Sequence, residues 1–223
     1  SVEHKIRTYF LFVSYLFIPI ILISTTHPSD AMNETGGDAS KPFLVFKKMA
    51  GHKKGHLYNN SDWSHYGTKI AFMVHDLPAG NTATIWVYYI EEKRLKQITY
   101  PDTVGMMDTM PVWSPDDTQI AFASDRGGSL HVWVIDEDGE NMRRVTKEME
   151  RNNPGDIWEP RPAWAPDGQS LVFADIVDGN RDIYRTHLVN GGVTRLTHDL
   201  SDDRAPRYSP DGKYISFVSD RSG

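Results

Sequence analysis

The chain has 223 residues, 39% hydrophobic and 24% charged, enough apolar material for one large packed domain or two small ones. A formal net charge of −6, with lysine and arginine scattered, excludes the basic footprint that a nucleic-acid backbone requires. The absence of cysteine excludes disulfides, thiolate metal sites and thiol nucleophiles.

The first predicted element is apolar. Lys5 and Arg7 precede YFLFVSYLFIPIILIS at residues 9–24. A charged start followed by a hydrophobic run is the pattern of a secretory signal. The run is about 16 residues, short of the roughly 20 that span a bilayer, and Pro19 interrupts it. Residues 1–31 are therefore expected to be a signal peptide or, if uncleaved, an N-terminal membrane anchor. Either places the remainder in the periplasm or outside the cell. Residues 32–56 are expected to be a linker with a short strand at Phe43–Lys47. The cluster Lys47, Lys48, Lys53 and Lys54 reads as a solvated loop. His52 and His56 lie four apart, but the GHKKGH context gives them no helical face, and no metal site is predicted there.

From Leu57 onward the chain repeats itself. PVWSPDDTQIAFASDRGG starts at Pro111, PAWAPDGQSLVFADIVDG at Pro162 and PRYSPDGKYISFVSDRSG at Pro206. A looser copy, DWSHYGTKIAFMVHD, starts at Asp62. The aligned aromatics Trp63, Trp113, Trp164 and Tyr208 are 50, 51 and 44 residues apart. The second copy reads as strand Met110–Trp113, turn SPDD, strand Gln119–Ser124, turn DRGG, strand Leu130–Asp136, turn EDGE and strand Asn141–Thr146. Four short antiparallel strands in about 45 residues make one propeller blade. The expected fold is all-β, a β-propeller of four-stranded antiparallel blades, at about 57–99, 110–146, 161–197 and 205–223. Residues such as Ile120, Phe122, Val132 and Val134 are expected to pack blade on blade. Ser114, Asp116, Ser209 and Asp211 are expected to bond their own turns. The chain opens on Ser1 and stops within a copy at SDRSG, which reads as a fragment at both ends.

The pattern P-x-W-S-P-D-G-x-x-I-A-F-x-S-D-R-x-G, then I-W-V-x-D-x-D-G, then R-x-x-T, resembles the repeat of TolB-like β-propellers. The resemblance covers about 70% of the chain, from Trp63 to Gly223. It implies six blades, of which about three and a half are present, with the innermost strand of each lining a central channel. An acidic residue stands three places before the proline of three copies: Asp108, Glu159 and Asp203. The resemblance implies that these loops converge, putting a ring of carboxylates near one channel mouth beside Arg161, Arg204 and Arg207. Such a ring can grip a basic or polar peptide or bind a cation. Alternatively, each carboxylate caps backbone N–H groups of a neighbouring blade or pairs with those arginines.

The sequence has no G-x-S-x-G elbow, P-loop or G-x-G-x-x-G. No catalytic residue, metal ligand or cofactor is predicted. The expected function is an exported, non-enzymatic scaffold that binds a protein or peptide partner. It has no nucleic-acid partner, and meets the membrane only through the N-terminal segment if that is uncleaved. The alternatives are the propeller of a prolyl-oligopeptidase-family serine peptidase, whose hydrolase part would lie further along a longer chain, and a carbohydrate- or cation-binding propeller.

Overall fold

The computed structural model describes residues 55–146, 160–177 and 179–221. The expected signal or anchor, the strand at 43–47, the lysine cluster, His52 and Glu159 lie outside them. All described residues belong to one compact unit.

The described residues form strands and turns, with no helix. The first sheet holds β1 (His56–Trp63), β2 (Lys69–Asp76), β3 (Thr82–Tyr89) and β4 (Arg94–Gln97). The second holds β5 (Asp108–Trp113), β6 (Gln119–Ser124), β7 (His131–Asp136) and β8 (Arg143–Arg144). The third holds β9 (Ala163–Trp164), β10 (Ser170–Val177), β11 (Asn180–His187) and β12 (Val193–Arg195), and the fourth β13 (Asp203–Tyr208) and β14 (Ile215–Ser219). Each sheet is an antiparallel meander in chain order. The expected all-β architecture of four-stranded blades is what the chain adopts.

Alternation along each strand divides its side chains between two interfaces. On β6, Ile120 and Phe122 pack with Ala71, Met73, Ile85 and Val87 of the first sheet. Their neighbour Ala121 instead joins Val132 and Val134 against Leu171, Phe173 and Tyr184 of the third. Ile120, Phe122, Val132 and Val134 are all fully buried. The second sheet thus lends one face to the first sheet and the other to the third.

The first strands pack beside one another. β5 contacts β1, β9 contacts β5, and β13 contacts β9. The Trp113 amide donates to Asp62 Oδ2 (2.8 Å), and Trp164 Nε1 donates to the Val112 carbonyl (3.1 Å).

All four first strands break at the same place. Asn60, Met110, Arg161 and Ala205, each three residues before the aligned aromatic, have φ of 48°, 54°, 38° and 51°. The ladder slips between Asn59 and Asp62, between Thr109 and Val112, and between Arg204 and Arg207. In the third sheet the Ala174 amide donates to the Pro160 carbonyl (3.0 Å), one residue out of step with the Leu171–Trp164 pair. Three of the four left-handed residues precede a proline, which has no N–H to give the ladder, so the strand bulges there. In the first sheet Ser61 replaces the proline and the bulge persists, seated on an asparagine that tolerates left-handed geometry.

The turns after the aromatics are equivalent. Gly67, Asp117, Gly168 and Gly212 donate their amides to the carbonyls of Ser64, Ser114, Ala165 and Ser209 (2.9–3.0 Å). Ser114 Oγ donates to Asp116 Oδ1 (2.6 Å), and Ser209 Oγ to Asp211 Oδ1 (2.7 Å), as expected. Successive turns stack: a Cβ added at Gly168 would lie 3.9 Å from Pro115, and one at Gly212 3.6 Å from Pro166.

The first junction uses different chemistry at these positions. His65 stands where the other turns have proline, so it and Tyr66 present amide N–H groups. Asp117 stands where the next turn would have glycine, at φ 58°. Its carboxylate accepts both amides, His65 at 2.6 Å and Tyr66 at 3.0 Å. Replacing Asp117 by alanine keeps the strained φ and orphans both donors. We expect a loss of about 1–3 kcal/mol by urea unfolding, and a smaller loss for asparagine, which retains one acceptor.

The Ser114 hydroxyl, followed by the Thr118 hydroxyl and amide, holds the Asp116 carboxyl below its usual range against slight desolvation. A carboxyl depressed in the fold contributes stability above its unfolded value of about 3.9, and this is lost as pH falls through the folded value. Asp116→Asn is therefore expected to lower the neutral plateau of the stability curve and to flatten its acid limb below about pH 4, since the contribution it removes is already absent at low pH.

Candidate functional site

Asp108 opens β5 and is fully buried. Arg126, in the SDR turn after β6, donates from Nη2 to Asp108 Oδ2 (2.8 Å) and from Nε to Ser124 Oγ (3.1 Å). The guanidinium lies 5.6 Å from the ring centre of Trp133, itself half-buried. Asp203 opens β13 in the same way. It too is fully buried, and Arg221 of the second SDR turn donates from Nη2 to its Oδ2 (2.6 Å) and from Nε to Ser219 Oγ (2.8 Å).

Threonines at the ends of the preceding sheets complete both sites. Thr99, Thr146 and Thr197 accept the amides of Ile85, Val132 and Ile183 through their hydroxyls (2.9, 3.1 and 2.9 Å). Thr99 also helps to hold the Asp108 carboxyl down, and Thr197 does the same for Asp203 while donating its hydroxyl to Asp182 Oδ1 (3.1 Å). Each buried carboxylate thus ties the end of one sheet to the SDR turn of the next.

The two carboxyls titrate in opposite directions. Burial pushes Asp108 above the usual range and outweighs the Ser124 and Thr99 hydroxyls and the Arg126 charge. Burial also acts upward on Asp203, but Ser219, Thr197 and Arg221 together prevail and hold it low. The difference follows desolvation: Asp108 and its 5%-exposed Arg126 are enclosed, whereas the pair at the two-stranded sheet is more open to water, with Arg221 44% exposed.

The other two sheets lack this pairing. In the third, Val177 stands in the arginine's place. In the first, Tyr58 takes the acid's place and Asp76 the arginine's, and Asp76 Oδ2 lies 3.0 Å from His56 Nε2.

Arg161, Arg204 and Arg207 are all exposed, on or just before the neighbouring strands β9 and β13. The expectation that they pair with Asp108 and Asp203 is corrected: Arg126 and Arg221 hold those carboxylates. Other local acids are also engaged. Arg181 binds Asp202 (2.8 Å), Arg195 binds Asp182 (2.5 Å), and Arg221 also reaches Asp199 (3.0 Å). Among the described residues Arg161, Arg204 and Arg207 have no carboxylate within ion-pair distance. Arg207 does act on Asp62 of β1: burial lifts that carboxyl, opposed by the Trp113 amide and then by the Arg207 charge.

The partners Arg126 and Arg221 escaped the sequence reading, although a signal was present. S-D-R recurs in the two copies that carry a preceding aspartate, and is absent from the copy that carries Glu159. Among the described residues no group of three or more His, Asp or Glu side chains is placed to hold a metal ion.

A family profile for the TolB beta propeller domain matches residues 158–223. An uncharacterized protein of Agrobacterium fabrum is 33% identical over 111 residues, covering 49% of this chain and 35% of that protein. An uncharacterized peptidase of Bacillus subtilis, YuxL, is 29% identical over 192 residues, covering 68% of this chain and 28% of the peptidase. The Tol-Pal system protein TolB of Francisella tularensis is 32% identical over 94 residues, covering 42% and 20%. A solved structure described as TolB from Agrobacterium tumefaciens shares the fold, with a TM-score of 0.59 at 24% identity, covering 75% of this chain and 56% of that one. The chain thus spans about a third or less of the length of these three curated relatives.

Proposed function

Because this chain is a TolB-like β-propeller, we propose that it works as an exported binding scaffold whose first strands meet a protein or peptide partner at one mouth of the channel. The observation that carries this reading is the shared break in all four first strands. Four aligned left-handed residues interrupt the ladders at one level, beside exposed arginines on the third and fourth sheets. Strained backbone held at one level by the surrounding sheets is characteristic of binding surfaces. Export rests on the apolar run at residues 9–24 and on the likeness to TolB.

The test is hydrogen exchange with short peptides selected from a random library against the chain. Protection gathered at residues 58–62, 108–112, 160–164 and 203–208 is expected. Protection confined to β4, β8 and β12 contradicts the reading.

A second reading is favoured by the long match to the Bacillus subtilis peptidase. In it, the propeller belongs to a longer serine peptidase and gates access to the hydrolase part. The product of the whole gene would then cleave prolyl peptide substrates and lose activity to a serine-directed fluorophosphonate. A whole-gene product that stays inert toward peptides sinks this reading.

A further inference from the structure

We propose that the partner segment is acidic and extended, with its carboxylates taken by Arg161, Arg204 and Arg207. The inference rests on the channel-mouth reading and deepens it. Among the described residues, Asp108 and Asp203, which seemed from sequence to offer carboxylates, are buried, and the exposed charged groups beside β9 and β13 are guanidiniums. Asp203, next to Arg204, is fully buried and held by Arg221. Asp182 and Asp202 are held by Arg195 and Arg181.

Three arginines thus stand exposed on or just before adjacent first strands, in a chain whose overall charge is negative. The left-handed φ of 38° at Arg161 and the ladder break between Arg204 and Arg207 fix the backbone around each of them. A guanidinium presents a planar fork of donors that fits a carboxylate in two parallel bonds. An extended chain is the segment proposed because Arg204 and Arg207 share β13 and Arg161 stands just before β9, which packs beside it, so the three come from sheet edges and not from one helix face. A basic segment would meet like charge at these three guanidiniums.

The experiment measures fluorescence anisotropy of labelled oligoglutamate, oligolysine and a Gly-Ser peptide against the whole chain, at low and high salt. The Glu peptide is expected to bind best, and salt to weaken it. Arg161→Ser/Arg204→Ser/Arg207→Ser is expected to weaken it about tenfold or more. A control with the same charge change elsewhere, Lys93→Ser/Arg143→Ser/Lys213→Ser, is expected to bind nearly as the parent does.

If the Lys or Gly-Ser peptide binds as well as the Glu peptide, or the triple arginine variant retains Glu binding, the acidic inference is overturned and the channel-mouth reading survives. Equal weakening by the control reduces the effect to net charge and also overturns it. If no peptide binds the parent, both fall.

Discussion

Asp108→Ala is expected to remove about 3–5 kcal/mol of folding stability, read from the urea midpoint at unchanged slope. The side chain is fully buried, and its loss takes the 2.8 Å partner from the Arg126 guanidinium, itself only 5% exposed, leaving it the exposed Asp102 carboxylate at 3.5 Å. An uncompensated buried charge is costly, whereas an apolar pair of similar volume is often tolerated. Asp108→Leu/Arg126→Met is therefore expected to recover most of the loss. If the double variant is no better than the single one, the pair is not the source of the penalty. The pH dependence adds a sign. Burial raises this carboxyl in the fold, so the folded chain binds the proton more tightly than the unfolded chain does. The group's contribution therefore grows as pH falls through its folded value, opposite to Asp116.

Phe122→Ala is expected to cost a similar amount, about 3–5 kcal/mol, because Phe122 is fully buried where the second sheet meets the first. Phe217 occupies the same repeat position in the fourth sheet but is 37% exposed. Phe217→Ala is expected to cost clearly less in the same assay. Equal costs at the two positions would mean that the interfaces between sheets are not where the stability resides.

Much of this architecture could be read from residues alone. Ile120, Phe122, Val132 and Val134 were legible together as blade-to-blade packing; the structure divides them, with Ile120 and Phe122 facing the first sheet and Val132 and Val134, with Ala121, facing the third. The SPDG turns announced their own hydrogen bonds, and Ser114 and Asp116 make them. The break in the first strands was harder to see. Proline hints at it in three sheets, yet the Asn60–Ser61 version needs no proline, and a left-handed residue follows from ladder geometry more than from residue type.

The roles around the acidic residues were misassigned for a related reason. Asp108 meets Arg126 because β5 and β6 pair Asp108 with Ser124, two residues before the arginine. That register depends on the bulge between Thr109 and Val112, which the sequence does not display. Without it, the arginines flanking the acidic loops of the third and fourth copies appeared to be the partners. With it, carboxylates and arginines separate into a buried joint and an exposed surface.

That separation is the central claim, and the thermal midpoint of Arg161→Ser/Arg204→Ser/Arg207→Ser tests it most directly. Exposed arginines with no described ion-pair partner should each matter by less than about 0.5 kcal/mol, so the midpoint should stay within a few degrees of the parent. A fall as large as that of Asp108→Ala would make these arginines part of the joint between sheets and contradict the account.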